Sequence, residues 1–170
     1  MTVNLTFTKA DLFHLEWKPY PKLCSPRRHV GAIGYGGGVL VVGGQTGNSA
    51  LGTVDCMELG TQNWVPQVPL NQPRRGLALA SLVYNGKQCI YAIGGMSKHI
   101  QRNPVIITIS DVNAVFNTVE RYNPDQRVWQ SVASMTLKRG GVAAVTLNGD
   151  VFAIGGNDGD MTKSSVERYR

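Results

Sequence analysis

Val41-Val42-Gly43-Gly44 is the first of three short apolar runs that each end in a Gly-Gly doublet, and Ala92-Ile93-Gly94-Gly95 and Ala153-Ile154-Gly155-Gly156 are the others. A second stretch repeats as well, because Thr53–Trp64 aligns without a gap with Thr118–Trp129. The doublets recur at intervals of roughly 50 to 60 residues, a spacing typical of repeat architectures. The sequence therefore predicts a modular fold rather than one continuous core.

Each module begins with a predicted β-hairpin. In the clearest one, the apolar run 141–147 is too short for a good helix and rich in small and β-branched residues. Asn148-Gly149 follows, a pair that favours a type I′ turn, and the chain returns through 151–154 into the third doublet. Asn85-Gly86 repeats the turn in the middle module, and Gly36-Gly37-Gly38 replaces it in the first.

Two further strands follow each doublet. The segment 119–122 predicts a third strand, Asn123-Pro124-Asp125 predicts a turn, and a fourth strand carries Trp129. Four antiparallel strands with an apolar inner pair and a mixed outer pair form one blade of a β-propeller. The predicted fold is thus all-β, with four-stranded antiparallel blades in an incomplete ring of about three blades.

The combined pattern resembles the kelch repeat, and from Phe116 to Tyr169 it looks like the kelch repeats of the BTB–BACK–kelch adaptors. Residues 17–95 match less well, since Met57 takes the place of the motif tyrosine. The residues that carry the motif are the doublets Gly43, Gly44, Gly94, Gly95, Gly155 and Gly156, the tyrosines Tyr122 and Tyr169, and the tryptophans Trp17, Trp64 and Trp129.

These landmarks divide residues 1–170 into a partial propeller. Residues 1–17 are predicted to end one blade, 27–66 to form a blade, 74–131 to form a blade with an expanded loop at 97–115, and 138–170 to form an incomplete blade. A ring needs at least about four blades. Either these residues belong to a longer kelch protein, or two copies assemble as a homodimer that completes a ring. In both cases we expect apolar flanking faces and unpaired sheet edges on the isolated chain.

The expanded loop contains the apolar, β-forming stretch Val105–Ile109. It predicts either a hairpin that extends the strand pairing of the blade or a docking surface for a partner.

Candidate partner-binding residues fall at the starts of the blades and in the loops after the doublets. Arg28, Arg75 and Arg139 each follow a tryptophan at a nearly constant distance. The resemblance implies that an arginine in the Arg-x-Gly position lines the pocket face and pairs with acidic groups of a bound peptide, and Arg139-Gly140-Gly141 fits that pattern fully. The alternative is a polar residue that snorkels to solvent. The loop candidates are Gln45, Asn48, Ser49, Asn157 and Asp158.

Catalytic and metal-binding patterns are weak. The sequence shows no Ser-His-Asp order, paired-histidine motif or phosphate-binding glycine loop. Asn157-Asp158-Gly159-Asp160 lacks the further ligands of an EF-hand and predicts a polar turn. Some kelch-type propellers, resembling galactose oxidase or sialate-processing enzymes, are catalytic, but the residue set that such chemistry needs is missing. We therefore predict no enzyme activity, no catalytic residues, no cofactor and no metal.

Charge and cysteine content constrain the partners and the compartment. The formal charge of +6 is spread over single and paired basic residues, so we expect no nucleic acid partner. No apolar span is long enough to cross a bilayer, and the first residues lack the pattern of a secretory signal. Cys24, Cys56 and Cys89 are odd in number and far apart, which favours reduced, buried thiols. The predicted location is cytoplasmic, with the nucleus as an alternative.

The resemblance also implies a function. The kelch adaptors are protein–protein interaction modules, and their propeller recruits the substrate of a cullin-3 ubiquitin ligase. Cullin-3 itself would be contacted only through BTB and BACK regions, which these 170 residues do not include. The expected partner is a protein or peptide, with an acidic one favoured by the arginines. The alternative is binding to actin or the cytoskeleton.

Overall fold

The computed structural model describes residues 16–100 and 111–170, and the described residues contain strands and loops but no helix. Consequently, no described helix is available to span a membrane. The strands are β1 (Gly31–Tyr35), β2 (Gly38–Val42), β3 (Gln45–Thr46), β4 (Ser49–Ala50), β5 (Val54–Glu58), β6 (Asn63–Gln67), β7 (Ala78–Tyr84), β8 (Lys87–Ile93), β9 (Met96–Ile100), β10 (Asp111–Val115), β11 (Val119–Asn123), β12 (Val128–Val132), β13 (Ala143–Leu147), β14 (Asp150–Ile154) and β15 (Val166–Tyr169).

The main strands form three antiparallel sheets. Blade 1 has the order β1-β2-β5-β6, blade 2 the order β7-β8-β11-β12, and blade 3 the order β13-β14-β15. The first strands of successive blades contact one another, so the blades lie side by side with these strands innermost. The predicted fold class, all-β with four-stranded blades in an incomplete ring, is confirmed.

The hairpin turns follow from residues that tolerate positive φ. Asn85-Gly86 and Asn148-Gly149 have positive φ at both positions, and so does Gly36-Gly37 in blade 1. This is the signature of the type I′ turn, which matches the twist of the two strands that it joins. The turn predicted between β11 and β12 is also present, because the Asn123 side chain accepts a hydrogen bond from the backbone N–H of Asp125.

The core lies in the gaps between blades. One apolar cluster joins blades 1 and 2 and includes Leu40, Ile90 and Trp129. A second cluster joins blades 2 and 3 and includes Tyr91, Val119 and Val151. Strand β8 contributes residues to both clusters and is therefore buried on both faces, which explains why it reads as an almost continuous apolar run.

The glycine doublets connect each blade to the next through backbone atoms. The second glycine donates its N–H to the carbonyl of an arginine in the following blade, from Gly44 to Arg74 and from Gly95 to Arg139, both at 2.8 Å. All six doublet glycines have positive φ. A Cβ atom on Gly94 would lie 2.4 Å from the carbonyl oxygen of Arg139, so a larger residue does not fit there.

Two short hairpins follow the first two doublets. In blade 1, β3 pairs with β4, and in blade 2, β9 pairs with β10. The second pair brings together the two ends of the predicted expanded loop. The stretch Val105–Ile109 lies outside the described residues, as do residues 1–15 of the predicted first blade end.

Candidate functional site

A repeated backbone bridge forms one rim of the blades. Just before the first strand of each blade, one residue pairs with the residue that follows the doublet: Arg28 with Gln45, Arg75 with Met96, and Gly140 with Asn157. In blade 1 the two hydrogen bonds of this bridge measure 3.0 and 2.8 Å. The bridge fixes the loops after the doublets against the segments that begin the blades, so side chains at these positions line the same rim.

The prediction that Arg139 lies on this rim is wrong. Its side chain is fully buried. The guanidinium donates to the carbonyl oxygens of Gly155 and Ser165 at 2.7 and 2.9 Å, and to a Glu167 oxygen at 3.1 Å. Because these contacts use up its donors inside the blade, Arg139 neither snorkels to solvent nor faces a ligand. The rim position in blade 3 belongs to Gly140, which has no side chain to offer.

The interior counterparts of Arg139 are Arg27 and Arg74, which sequence reasoning missed. Arg74 donates to Glu120 at 3.1 Å and to the carbonyl oxygen of Gly94 at 2.8 Å. Arg27 donates to Asp55 at 2.6 Å. We call these three buried ion pairs, Arg27–Asp55, Arg74–Glu120 and Arg139–Glu167, the arginine clamps.

The clamps explain why the rim position predicted for Arg139 is in fact occupied by the next residue, Gly140. Blades 1 and 2 each begin with two adjacent arginines, whereas blade 3 has one. Neighbouring side chains of an extended segment point to opposite sides. The first arginine of each pair therefore enters the blade and the second faces the rim, and the single arginine of blade 3 takes the interior position.

The acidic member of each clamp also fixes the loop that leads into its blade. Glu120 accepts hydrogen bonds from the backbone N–H groups of Asn71 and Gln72, at 2.8 and 3.2 Å. Glu167 does the same for Thr136 and Leu137. Partial burial alone would raise the pKa of Glu167, but the bonds from the two backbone N–H groups and from Arg139 outweigh it and lower the pKa. These pairs are consequently structural rather than catalytic.

The rim of blades 1 and 2 carries positive charge. Arg28 is exposed and donates to the carbonyl oxygen of Gly47 at 3.2 Å, and Arg75 is half-buried. Asn48 and Ser49 are exposed at the tip of the β3–β4 hairpin. Gln45 is buried, and its side-chain amide donates to Gly47 at 2.7 Å, so this residue supports the hairpin and does not present its side chain to a ligand.

The rim of blade 3 has a different character. The Asn157 amide donates to the carbonyl of Gly140 at 3.1 Å. Asp158 pairs with Lys163 and accepts bonds from the backbone N–H groups of Met161 and Asp160. The Lys163 bond, followed by these backbone bonds, holds the pKa of Asp158 well below its usual range. The predicted polar turn is thus present, and the ionised Asp158 in it is balanced by Lys163.

The three motif tryptophans lie in unequal environments. Trp129 is buried, packs on Tyr122 at a centroid distance of 5.4 Å, and donates its indole N–H to the carbonyl of Val68. Trp64 is half-buried and donates to the carbonyl of Pro21. Trp17 carries the motif in the sequence and is fully exposed; residues 1–15, which precede it in the predicted blade, are not among those described.

Tyr169 follows the doublet of blade 3 and corresponds to Tyr122, but no tryptophan among the described residues packs on it as Trp129 does on Tyr122. Tyr169 is half-buried and packs against Tyr91 at a centroid distance of 5.6 Å.

The cysteines are all free thiols, but only Cys89 is buried, and Cys24 is exposed, which corrects the expectation that all three are buried. Within residues 16–100 and 111–170, no cluster of three acidic, histidine or cysteine side chains could hold a metal ion.

Comparison with known proteins shows which family the chain matches. The family model described as "Kelch motif" matches residues 26–71, 85–136 and 138–170, which is more than half of the chain. Among solved structures, one described as "Structure of YjhT" superposes with a TM-score of 0.62 at 18% identity, and the match covers 83% of this chain and 37% of that one. At this identity the superposition supports the fold alone.

Curated relatives point the same way. Human Kelch-like protein 28 is 33% identical over 119 residues, which cover 69% of this chain and 19% of that protein. Human Kelch-like protein 33 is 29% identical, with 85% and 25% covered, and Spermatocyte protein spe-26 of Caenorhabditis elegans is 28% identical, with 90% and 25% covered. The chain thus spans about a fifth to a quarter of the length of these relatives.

Proposed function

Since this chain belongs to the kelch-repeat family, whose domains typically serve as protein-interaction modules, we propose that it forms part of the substrate-recognition propeller of a cullin-3 ubiquitin ligase adaptor. Support comes from two sides. Kelch-like proteins are among its relatives, and one viral relative is named as containing a BTB domain. The sequence from Phe116 to Tyr169 also resembles the kelch repeats of adaptors of this kind.

The rim of blades 1 and 2 supports an acidic peptide as the ligand. Arg28 and Arg75 occupy equivalent bridge positions in neighbouring blades, beside the exposed residues Asn48 and Ser49. A guanidinium can bind a carboxylate through two parallel hydrogen bonds, which makes arginine well suited to acidic groups. The observation that carries this proposal is the repeated placement of an arginine on the rim in both complete blades.

The difference between the rim of blade 3 and that of blades 1 and 2 predicts where an acidic group of the ligand binds. Gly140 provides no arginine on that rim, and Lys163 offsets the negative charge of Asp158 there. An acidic residue of the ligand is therefore expected to lie over blades 1 and 2, which carry the two rim arginines, rather than over blade 3. This polarity distinguishes the rim from a uniformly basic surface.

The proposal can be tested by measuring peptide affinity calorimetrically. We expect an acidic peptide to bind more tightly than the same peptide with its carboxylates replaced by amides. Arg28→Ala or Arg75→Ala should weaken the binding free energy of the acidic peptide by about 1.5–3 kcal/mol, the range for a charge-assisted hydrogen bond. Arg168→Ala is the matched control, because this half-exposed arginine lies on β15 away from the rim. Equal affinities for wild type and both rim variants would contradict the rim assignment.

The ligase role needs a separate measurement. Partners captured by proximity labelling in cells would be followed for ubiquitination with and without cullin-3, using the natural protein. Loss of ubiquitination on cullin-3 depletion is the expected result. If a partner binds the rim but its ubiquitination and turnover are unchanged by cullin-3 depletion, the ligase role is overturned. The interaction role would then remain. Cosedimentation with filamentous actin would favour the cytoskeletal alternative.

A further inference from the structure

One backbone position at the entry of each blade takes a left-handed conformation in all three blades. It is occupied by His29 in blade 1, with a φ of 56°, and by Gly76 and Gly141 in blades 2 and 3, with φ of 59° and 61°. Glycine adopts positive φ at little cost, whereas a residue with a Cβ atom is strained there. Blade 1 therefore carries a side chain at a position where glycine is the less strained residue.

The setting of His29 differs from that of the other strained residues. Among the described residues, the other non-glycine positions with positive φ all lie in turns between two paired strands, namely Gln62, Asn85, Arg127 and Asn148. In such a turn the positive φ is required by the turn itself. His29 lies instead in the extended segment between the rim bridge of Arg28 and the innermost strand β1. Strained residues outside turns cluster at ligand-binding sites.

The backbone places His29 between the two rim arginines. His29 follows Arg28 directly, and its carbonyl accepts the N–H of Gly76, the residue after Arg75, at 2.9 Å. Gly141 donates in the same way to the carbonyl of Gly76, at 2.8 Å. Because these residues lead into the innermost strands, they lie at the inner end of the rim. The bonds that position His29 join blades 1 and 2 and need no further blade.

The side chain at this position is directed toward the next blade. A Cβ atom built on Gly76 would lie 3.3 Å from the backbone nitrogen of Gly141 in blade 3. By the same arrangement the Cβ atom of His29 faces Gly76, so its ring starts from the junction of blades 1 and 2. His29 is exposed, and its ring makes no hydrogen bond or ion pair with any residue that the structure describes. Arg28, by contrast, already donates to the carbonyl of Gly47.

We propose that His29 donates an imidazole N–H to an acidic side chain of the ligand, at the point where this side chain enters between Arg28 and Arg75. This role rests on the proposed function, to which it adds the place where the acidic group binds. The guanidiniums supply positive charge, and the imidazole supplies a directed donor, since either ring nitrogen can carry the proton. The strained backbone lowers stability while the hydrogen bond raises affinity, so the two effects can be measured separately.

Replacing His29 by glycine separates the two effects. In His29→Gly the left-handed position is no longer strained, and this relief exceeds the entropy that a glycine adds to the unfolded chain. We therefore expect an unfolding temperature equal to or above that of the wild type. The same variant loses the imidazole donor. Its Kd for an acidic peptide should rise at least about 10-fold, the lower end of the range for a hydrogen bond to a charged group.

Two further variants serve as controls. His29→Asn keeps a side-chain N–H donor on a residue that tolerates positive φ, so it should bind the peptide more tightly than His29→Gly does. Arg127→Gly relieves the same kind of strain, at a φ of 53°, in the turn between β11 and β12. That turn lies away from the rim, because the opposite end of β11, at Val119, pairs with Ile93 directly before the doublet. Arg127→Gly should therefore leave the Kd unchanged, although it also removes a positive charge.

The probe is a library of short synthetic peptides that contain two glutamates at varied spacing, each measured beside its glutamine version. Affinity for the natural protein and its variants is measured by calorimetry, and stability by thermal unfolding. A Kd that rises for Arg28→Ala but not for His29→Gly would overturn the role of His29 and leave the rim assignment in place. If His29→Gly lost stability together with affinity, His29 would be a structural residue instead. A wild type that shows no preference for the glutamate peptides would overturn both the acidic ligand and the role of His29.

Discussion

The two interfaces between blades share a backbone framework but differ in what fills them. In both, a doublet glycine donates to an arginine carbonyl of the next blade. The backbone N–H of Gly76 also donates to the carbonyl of His29 in blade 1, and the N–H of Gly141 in blade 3 donates to the carbonyl of Gly76. Between blades 1 and 2, Trp129 and Tyr122 fill the gap, and Tyr122 meets Tyr35 edge to face. Between blades 2 and 3 there is a cavity of about 320 Å³, lined among others by Tyr91, Val119 and Tyr169. The difference teaches that backbone bonds set the spacing, and that the aromatic residues then fill the space so defined.

The largest effect expected from this comparison is the loss of Trp129. Trp129→Ala should lower the free energy of unfolding by about 3–5 kcal/mol, because it empties a well-packed gap between two blades. Trp64→Ala should cost about half as much, since Trp64 is only half-buried. Urea titration followed by circular dichroism measures both. Equal losses would mean that the gap between blades 1 and 2 is not the better-packed region.

A smaller loss of stability is expected when a doublet glycine is replaced by alanine, and two such variants can be compared. Gly155→Ala should cost about 1–2 kcal/mol, the penalty for a left-handed backbone, because the nearest described atom to its new methyl group would be the Lys163 carbonyl oxygen, at an ordinary contact distance of 3.4 Å. Gly94→Ala should cost more, since its methyl group would lie 2.4 Å from the Arg139 carbonyl of the next blade. Thermal unfolding of the two variants gives the comparison. A Gly155→Ala variant less stable than Gly94→Ala would show that the contact with the next blade is not the limiting one.

The smallest effect is a dependence on acid at the clamp of blade 3. The pKa of Glu167 is lowered in the folded chain from its ordinary value of 4.5. The unfolded chain therefore takes up this proton first, so the stability contributed by Glu167 is fully present above pH 4.5 and is lost as the pH falls through the folded pKa. Unfolding midpoints at successive pH values below 5 should show this loss.

Glu167→Gln is the control for the acid effect. It keeps the shape of the side chain and removes the titration, so its stability should fall less steeply with acid than that of the wild type. Parallel curves for the two proteins would show that another group is responsible.

Much of the fold could be predicted from the sequence because its strongest features act locally. Asn85-Gly86 and Asn148-Gly149 define their turns by backbone conformation, and the spacing from Tyr122 to Trp129 follows from one hairpin. The rim was less predictable. Nothing in the sequence states which of Arg74 and Arg75 enters the blade, because that depends on a partner, Glu120, far along the chain.

A signal for the clamps was nevertheless present. Each interior arginine has a later Val-Asp or Val-Glu pair in its own blade, at 54–55, 119–120 and 166–167. A single buried charge without a partner is costly, so a repeated acid in an apolar strand indicates a repeated buried cation. Exposure of Trp17, by contrast, depends on what surrounds it and could not be read from the spacing that it shares with Trp64 and Trp129.

The bonds between the doublet glycines and the arginine carbonyls involve main-chain atoms alone. From Gly44 to Arg74 and from Gly95 to Arg139, the joint is the same whatever side chains the two blades carry elsewhere. Any blade that contains a Gly-Gly doublet and an extended segment can form the same bonds with its neighbour, since each repeat contacts only its neighbours. Copying one module within the gene would therefore add a blade that already fits, and the outer strands and loops could then diverge without loosening the stack.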